Sequence, residues 1–318
     1  MRIVRHSAET PPSLRGGVVA IGNFDGVHRG HQAVISRAAT LAAGFGAPRA
    51  VLTFEPHPRR FFRPEIPPFL LTPFRAKAQL LAALGVEMLA VQRFDAAFAH
   101  LDADAFIRRI LVDGLAARHV VVGYDFTFGH ERSGNVDVLK RAGSQYGFGV
   151  TAVGPVASAD GEIFSSTNIR DYLVGGKPGH AAALLGRPFE IHGMVLGGDR
   201  RGRTIGFPTA NLTLGGYIRP AFGVYAVRAG VETEGRIAWH DGVANLGLRP
   251  TVDGSRLLLE THLFDFARDI YNTHLRVALI EFIRPEQKFS GLDALKAQIA
   301  EDCVAARSIL TTRAAGAI

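Results

Sequence analysis

Two histidines three residues apart, His28 and His31, lie in the run Gly22-Asn23-Phe24-Asp25-Gly26-Val27-His28-Arg29-Gly30-His31. The apolar stretch Val18 to Ile21 precedes this run, and a helical pattern over residues 31–45 follows it. Glycines let the chain turn tightly and bring backbone close to a ligand. A helix start adds free N–H groups and a positive dipole, which suit phosphate. A spacing of three projects both imidazoles from one side of the first turn. Two N–H donors so placed could grip one phosphate as its charge rises during group transfer. A single histidine near a helix start is ordinarily a polar surface residue, but packing gives no account of two in this glycine setting. A metal needs a third ligand, none is local, and His-Glu-x-x-His is absent. The Gly-x4-Gly-Lys-[Ser/Thr] phosphate loop is absent too, so nucleotide chemistry here needs a different cradle.

A second constellation lies further on. Gly197-Gly198-Asp199-Arg200-Arg201-Gly202-Arg203 is a basic glycine turn whose N–H groups could cover phosphates, with Gly198, Gly202 and Arg203 as the contacts. Gly206-Phe207-Pro208-Thr209-Ala210-Asn211 follows, stiffened by Pro208. Thr209 and Asn211 are two apart and face one side of an extended chain. A hydroxyl and an amide oxygen suit Mg²⁺ carried by a nucleotide, although a turn satisfying its own backbone uses the same residues. Glu260 sits in Leu257-Leu258-Leu259-Glu260-Thr261-His262-Leu263-Phe264. A carboxylate on an apolar strand needs a reason. It could be the general base for a substrate hydroxyl, or a barrel-rim glutamate paired with a nearby arginine.

Elements of two kinds must position these groups. Before residue 186 the pattern alternates strand and helix. Strands are expected at Val18–Ile21, Ala50–Phe54, Val86–Val91, His119–Val122 and Val150–Val153. The first helix should bury Val34, Ile35, Ala38, Leu41, Ala42 and Phe45. Thr72-Pro73 reads as the N-cap and first residue of a helix through Leu84, and further helices are expected over Asp104–Leu115 and Val136–Tyr146. This order predicts a doubly wound, Rossmann-like parallel sheet. Beyond it, Phe189–Leu196, Gly223–Val231, Ile237–Asn245, Arg256–Phe264 and His274–Arg284 read as strands with no helix between them, which predicts an antiparallel β-barrel. A terminal helix begins after Ser290, with Leu292, Leu295, Ile299, Cys303 and Ala306 as its stripe. The expected domains are residues 1–186 and 187–318, joined near Gly175–Arg187.

The chain has 318 residues, which suits two domains. Its longest apolar stretch, Leu80–Val91, is interrupted by Gly85 and Glu87, so no membrane span or membrane partner is expected. Residues 1–12 carry charge and no apolar signal core, and the lone Cys303 fits a reducing compartment, so a cytoplasmic location is expected. The net charge of +7 fits phosphate-bearing substrates or a plain basic surface.

His-x-Gly-His after a first strand resembles the nucleotidylyltransferase superfamily. The fuller run from Gly22, with Phe54-Glu55-Pro56-His57-Pro58, Gly123-Tyr124-Asp125-Phe126-Thr127-Phe128-Gly129 and Ser165-Ser166-Thr167-Asn168-Ile169-Arg170, resembles the bifunctional bacterial riboflavin kinase/FAD synthetases. Residues 193–211, Gly223-Val224-Tyr225, Asn245-Leu246-Gly247 with Arg249-Pro250-Thr251, and Glu260-x-His262 continue that likeness through the second half. The resemblance implies an FMN adenylyltransferase followed by a riboflavin kinase, with ATP, riboflavin and FMN as substrates. It implies that Gly22, Asn23, Phe24, Gly30, Ser166 and Thr167 meet ATP. Arg170 would neutralise the β- and γ-phosphates, and Asp125, Phe126 and Phe128 would meet flavin. In the second half it puts Thr209 and Asn211 on Mg-ATP and Glu260 on the ribityl 5′-hydroxyl. Val252 stands where the family usually has Phe, and Asn272 where it usually has Gly; asparagine tolerates φ > 0, so that turn should survive. Flavins enter as substrate and product, not as a prosthetic group.

Two other readings stay open: one half active with the other a scaffold, or a nucleotidyltransferase joined to an RNA-binding barrel. The last predicts surface aromatics alternating with Lys/Arg on strands, and no such ladder is visible, so no nucleic-acid partner is expected. A homo-oligomer is left open.

Overall fold

The computed structural model describes residues 1–197, 206–251 and 254–315. Gly198, Gly202, Arg203 and Val252 lie outside the described residues. The chain forms two compact units, Met1–Pro67 with Thr72–Ser165, and Pro68–Leu71 with Ser166–Ile318.

The first unit is built on six strands: β1 (Arg2–Val4), β2 (Val18–Ile21), β3 (Arg49–Glu55), β4 (Met88–Arg93), β5 (His119–Gly123) and β6 (Gly149–Val153). They form one parallel sheet in the order β1-β4-β3-β2-β5-β6. Both faces are covered, which is why the strands read as unbroken apolar runs. Val19, Ile21, Leu52, Val120 and Val122 pack on Phe106, Ile110 and Leu111. On the other face Val18, Ala20, Val51, Leu89 and Val121 pack on Val34, Ile35 and Ala38 of the Arg29–Phe45 helix. The chain leaves β2 toward β3 on one side and later returns to β5 on the other. That reversal opens a crevice at the carboxyl ends of β2 and β5, where such sheets bind ligands.

Several sequence expectations need correction here. Phe45 does not join the buried stripe but is 38% exposed, with the Arg118 guanidinium 4.8 Å from its ring centroid. Thr72 does not cap a helix: the helix is Phe74–Ala83 with Pro73 at the cap position, and Thr72 is buried in a different network. The expected Asp104–Leu115 helix begins as Ala103–Phe106 and then widens, with Leu115 N–H donating to Ile110 O five residues back at 2.9 Å.

The second unit holds β7 (Phe189–Met194), β8 (Ala210–Thr213), β9 (Gly223–Thr233), β10 (Arg236–Thr251), β11 (Gly254–Leu263) and β12 (His274–Pro285). Every pairing is antiparallel, in the order β7-β12-β9-β10-β11-β8. The sheet curls so that Leu196, just past β7, bridges Asn211 of β8, with Leu196 N–H donating to Asn211 O at 2.9 Å. That bridge joins the two edge strands and makes the barrel. The terminal helix, Leu292–Ala315, seats Ala306 and Leu310 on Val224, Ala226, Val243 and Phe264. Its expected stripe began too early, because Leu292 is 65% exposed. Asp302, buried on that helix, receives Arg284 through both oxygens at 2.8 and 2.7 Å. Residues expected to be a plain join contain the helix Pro178–Leu185, which buries Ala181, Leu184 and Leu185.

Candidate active sites in the two units

The loop after β2 is strained and held. Phe24 and Val27 adopt φ of 49° and 43°, unfavourable for side chains of their kind. Asp25, buried, accepts the Thr72 N–H at 2.9 Å, and Gly26 N–H donates to the Thr72 hydroxyl at 2.8 Å. Gln32 Nε2 donates to Val27 O at 2.9 Å. The loop therefore presents His28 and His31 from a fixed backbone. Thr72→Val keeps the shape of the side chain and removes the acceptor for Gly26. We expect it to destabilise the first unit by about 1–3 kcal/mol and to slow FAD formation while FMN formation stays near normal. Equal loss of both activities would contradict that assignment.

His28 is the cap of the Arg29–Phe45 helix: its Nδ1 accepts the His31 N–H at 3.4 Å. A neutral ring accepting at Nδ1 carries its proton on Nε2. His28 is buried, and its ring stacks on His31 with centroids 3.6 Å apart. Phe24 meets the His31 ring edge-on at 5.3 Å. Gly30 provides the room, since a Cβ there would come within 3.1 Å of both His28 Cε1 and Phe164 O. The two imidazoles thus form one assembly at a helix N-terminus, as their spacing predicts.

Beside the crevice lies a cavity of roughly 730 Å³. Asn23, Phe126 and Phe128 line it, and Phe126 stacks on Phe128 at 5.5 Å. Asp125 follows β5 on an exposed loop and is not part of that lining. Phe54, Phe62, Phe94 and Phe98 complete an aromatic wall, with His57, Arg59 and Arg132 at its polar edge. Sequence reasoning missed most of that wall because its phenylalanines come from separate segments. His57, whose role the sequence does not give, accepts the Arg59 N–H at 3.1 Å and caps the short helix Pro58–Phe62.

Arg170 belongs to the second unit, on the helix Ser166–Val174. Its Nε donates to Phe69 O at 2.9 Å and its guanidinium lies 5.5 Å from the Phe69 ring centroid. Ser166 and Thr167 occupy the first turn of this helix.

In the barrel, strand register brings distant residues into one row. Asn245 of β10 pairs with Glu260 of β11, and Glu260 pairs with Asn211 of β8. Paired residues share a face, so Asn211, Glu260 and Asn245 lie side by side, with Thr209 two residues before Asn211. The Asn211 Oδ1 is buried with no hydrogen-bond partner among the described residues. His262 Nδ1 lies 2.8 Å from Pro208 O and ties the start of β8 to β11. Glu260 is paired with an arginine, in line with one of its two sequence readings: Arg249 Nε and Nη2 lie 2.7 and 2.5 Å from its Oε2. Burial opposes the Arg249 charge, but the hydrogen bonds with Glu260 and Glu286 outweigh it and hold the guanidinium above its ordinary pKa. Asn272 adopts φ of 57°, so the turn expected to tolerate asparagine does form.

Among the described residues, no group of three or more His, Cys, Asp or Glu side chains could hold a metal ion. The oxygen donors Thr209 and Asn211 nonetheless suit Mg²⁺ that arrives on a nucleotide, and the unpartnered Asn211 Oδ1 is the observation that fits.

Comparison with known proteins covers both units. The FAD synthetase family matches residues 10–168 and the riboflavin kinase family matches residues 185–310. A bifunctional riboflavin kinase/FMN adenylyltransferase of Pseudomonas fluorescens is 44% identical, covering 97% of this chain and 98% of its own. That of Escherichia coli K12 is 43% identical over 96% and 97%. A solved structure from Streptococcus pneumoniae, named a macrolide-efflux protein, is 32% identical with a TM-score of 0.82 and covers 95% of this chain and 96% of its own. In the present chain no described helix is long and apolar enough to cross a membrane. With both families matched in order and near-full-length identity above 40%, the chain belongs to the bifunctional riboflavin kinase/FMN adenylyltransferases.

Proposed function

We propose that this enzyme makes FMN from riboflavin and ATP in its C-terminal half, and FAD from FMN and ATP in its N-terminal half. The observation that carries the reading is the row Asn211–Glu260–Asn245 in the barrel alongside the paired imidazoles of the other unit. Each gathers side chains suited to group transfer, which supports two active halves over a scaffold in either. The RNA-binding alternative finds little support on these strands: Tyr225 is buried, and Trp239, 46% exposed on β10, sits between Ala238 and His240 and not among alternating Lys/Arg.

In the kinase half, Glu260 takes the proton of the riboflavin 5′-hydroxyl. The freed oxygen attacks the ATP γ-phosphorus, and ADP leaves. Thr209 and Asn211 would hold Mg²⁺ with the nucleotide, and that ion supplies positive charge to the phosphates. Gly198, Gly202 and Arg203 are assigned to the same nucleotide. In the adenylyltransferase half, an FMN phosphate oxygen attacks the ATP α-phosphorus and pyrophosphate leaves. No protein nucleophile is needed; the protein supplies position and charge. His28 and His31 serve the α-phosphate, and Arg170 the departing phosphates. Gly22, Asn23, Phe24, Gly30, Ser166 and Thr167 line the ATP path. The aromatic cavity suits the flavin ring system, with Phe126 and Phe128 as stacking partners. Asp125 is assigned to the flavin's polar side. A reducing cytoplasm suits the lone thiol, and a homo-oligomer is compatible with all of this.

The functional boundary is set at residues 1–186 and 187–318. A fragment beginning at Arg187 is expected to make FMN and no FAD. One beginning at Ser166 should do the same and melt several degrees higher. It keeps the helix that buries Leu184 and Leu185, and each buried leucine is worth ~1.5–3 kcal/mol. Thermal melts and flavin chromatography of both fragments check this. FAD formation by either fragment, or no FMN from the longer one, would contradict the division.

A further inference from the structure

We propose that Arg249 is a positioning residue for Glu260, braced from behind by Glu286 and given room by Gly247; the inference rests on Glu260 being the kinase base. The two contacts from Arg249 fall on the same carboxylate oxygen, Oε2, at 2.7 Å from Nε and 2.5 Å from Nη2. The other oxygen, Oε1, makes no hydrogen bond among the described residues. One oxygen is gripped, and the other is left to meet a substrate hydroxyl. Two donors of one rigid guanidinium converge on Oε2 and fix the position of that oxygen more tightly than the single flexible ammonium of a lysine would.

The brace is independent of Glu260. Arg249 Nη1 donates to Glu286 Oε1 at 3.1 Å, and Asn245 Nδ2 donates to the same oxygen at 3.1 Å. Asn245 is also the cross-strand neighbour of Glu260. Glu286 follows the end of β12 and lies over β10 at Gly247. A Cβ at Gly247 would stand 2.0 Å from Glu286 Oε1 and 2.4 Å from its Cδ. No other residue at 247 leaves the Glu286 carboxylate where it is. Asn245, Gly247 and Arg249 of β10 and Glu286 just past β12 thus converge on the orientation of one carboxylate on β11. Stability alone does not account for the arrangement. The Arg249 and Glu260 side chains are 34% and 26% exposed, and pairs with this much solvent contribute little, ~0–1 kcal/mol.

The test is a double-mutant cycle in the full chain, reading steady-state FMN formation with riboflavin, ATP and Mg²⁺. Arg249→Met should lower kcat by about tenfold or more, the coupling expected within one shared ion-pair network, with the KM for riboflavin and ATP little changed. Arg249→Lys should recover part of the loss, and Glu286→Gln should give a smaller loss of the same kind. Added to Glu260→Gln, Arg249→Met should cost almost nothing further. If the two losses multiply, Arg249 acts on the phosphates or the fold and the inference is overturned. A raised KM with unchanged kcat overturns it too. Should Arg249→Met fail to fold, Arg249→Lys and Glu286→Gln, each alone and with Glu260→Gln, decide the question by the same comparison. Near-normal activity of Glu260→Gln alone would instead sink the base assignment itself.

Discussion

Glu260→Gln is expected to lower FMN formation by about 10²–10⁴-fold, the contribution of a positioned base, and to leave the conversion of supplied FMN to FAD intact. The substitution keeps the size and shape of the side chain. The glutamine carbonyl oxygen can still accept from Arg249, so the row with Asn211 and Asn245 should persist. What is lost is the ability to take a proton from a primary alcohol, a poor nucleophile while it keeps that proton. Arg249 occupies only Oε2, so the ion pair leaves room for the proposed basic role on the same carboxylate. Near-normal FMN formation by the variant would refute the assignment. So would an unfolded barrel, because the glutamate would then be a structural partner of Arg249.

The second large effect is expected at the paired histidines. His31→Ala should slow FAD formation by about 10²–10³-fold, the size of a lost charge-stabilising donor, with FMN formation almost untouched. His28 needs a subtler change, because its Nδ1 also caps the Arg29–Phe45 helix. His28→Asn keeps a side chain that caps helices well and removes the imidazole. It should lose as much FAD formation as His31→Ala while melting close to the parent. If His28→Asn retains activity and only His28→Ala fails, the histidine is a cap and not a phosphate donor. Restoration by added zinc would revive the metal reading.

The parallel sheet is legible in the sequence because strands buried on both faces, such as Val18–Ile21, carry no polar residue to blur the pattern. The His28/His31 assembly is legible because three-residue spacing at a helix start has one geometric meaning. Other features depend on contacts that no local pattern encodes. Thr72-Pro73 has the form of a helix start, but the Gly26 N–H outcompetes the helix for the Thr72 hydroxyl. The helix Pro178–Leu185 hides behind Gly175 and Gly176 and opens on a proline, which is a good first helical residue as well as a breaker. The four-residue β8 is too short to show alternation. Glu260 could be singled out as an odd carboxylate, but its row with Asn211 and Asn245 is set by strand register, and the aromatic cavity gathers phenylalanines from separate segments.

The most direct measurement incubates the full chain with riboflavin, ATP and Mg²⁺ and separates the flavins over time. FMN should rise first and FAD follow, with ADP and pyrophosphate as the accompanying products. Riboflavin left unchanged, or FMN that accumulates without any FAD, would contradict two active halves.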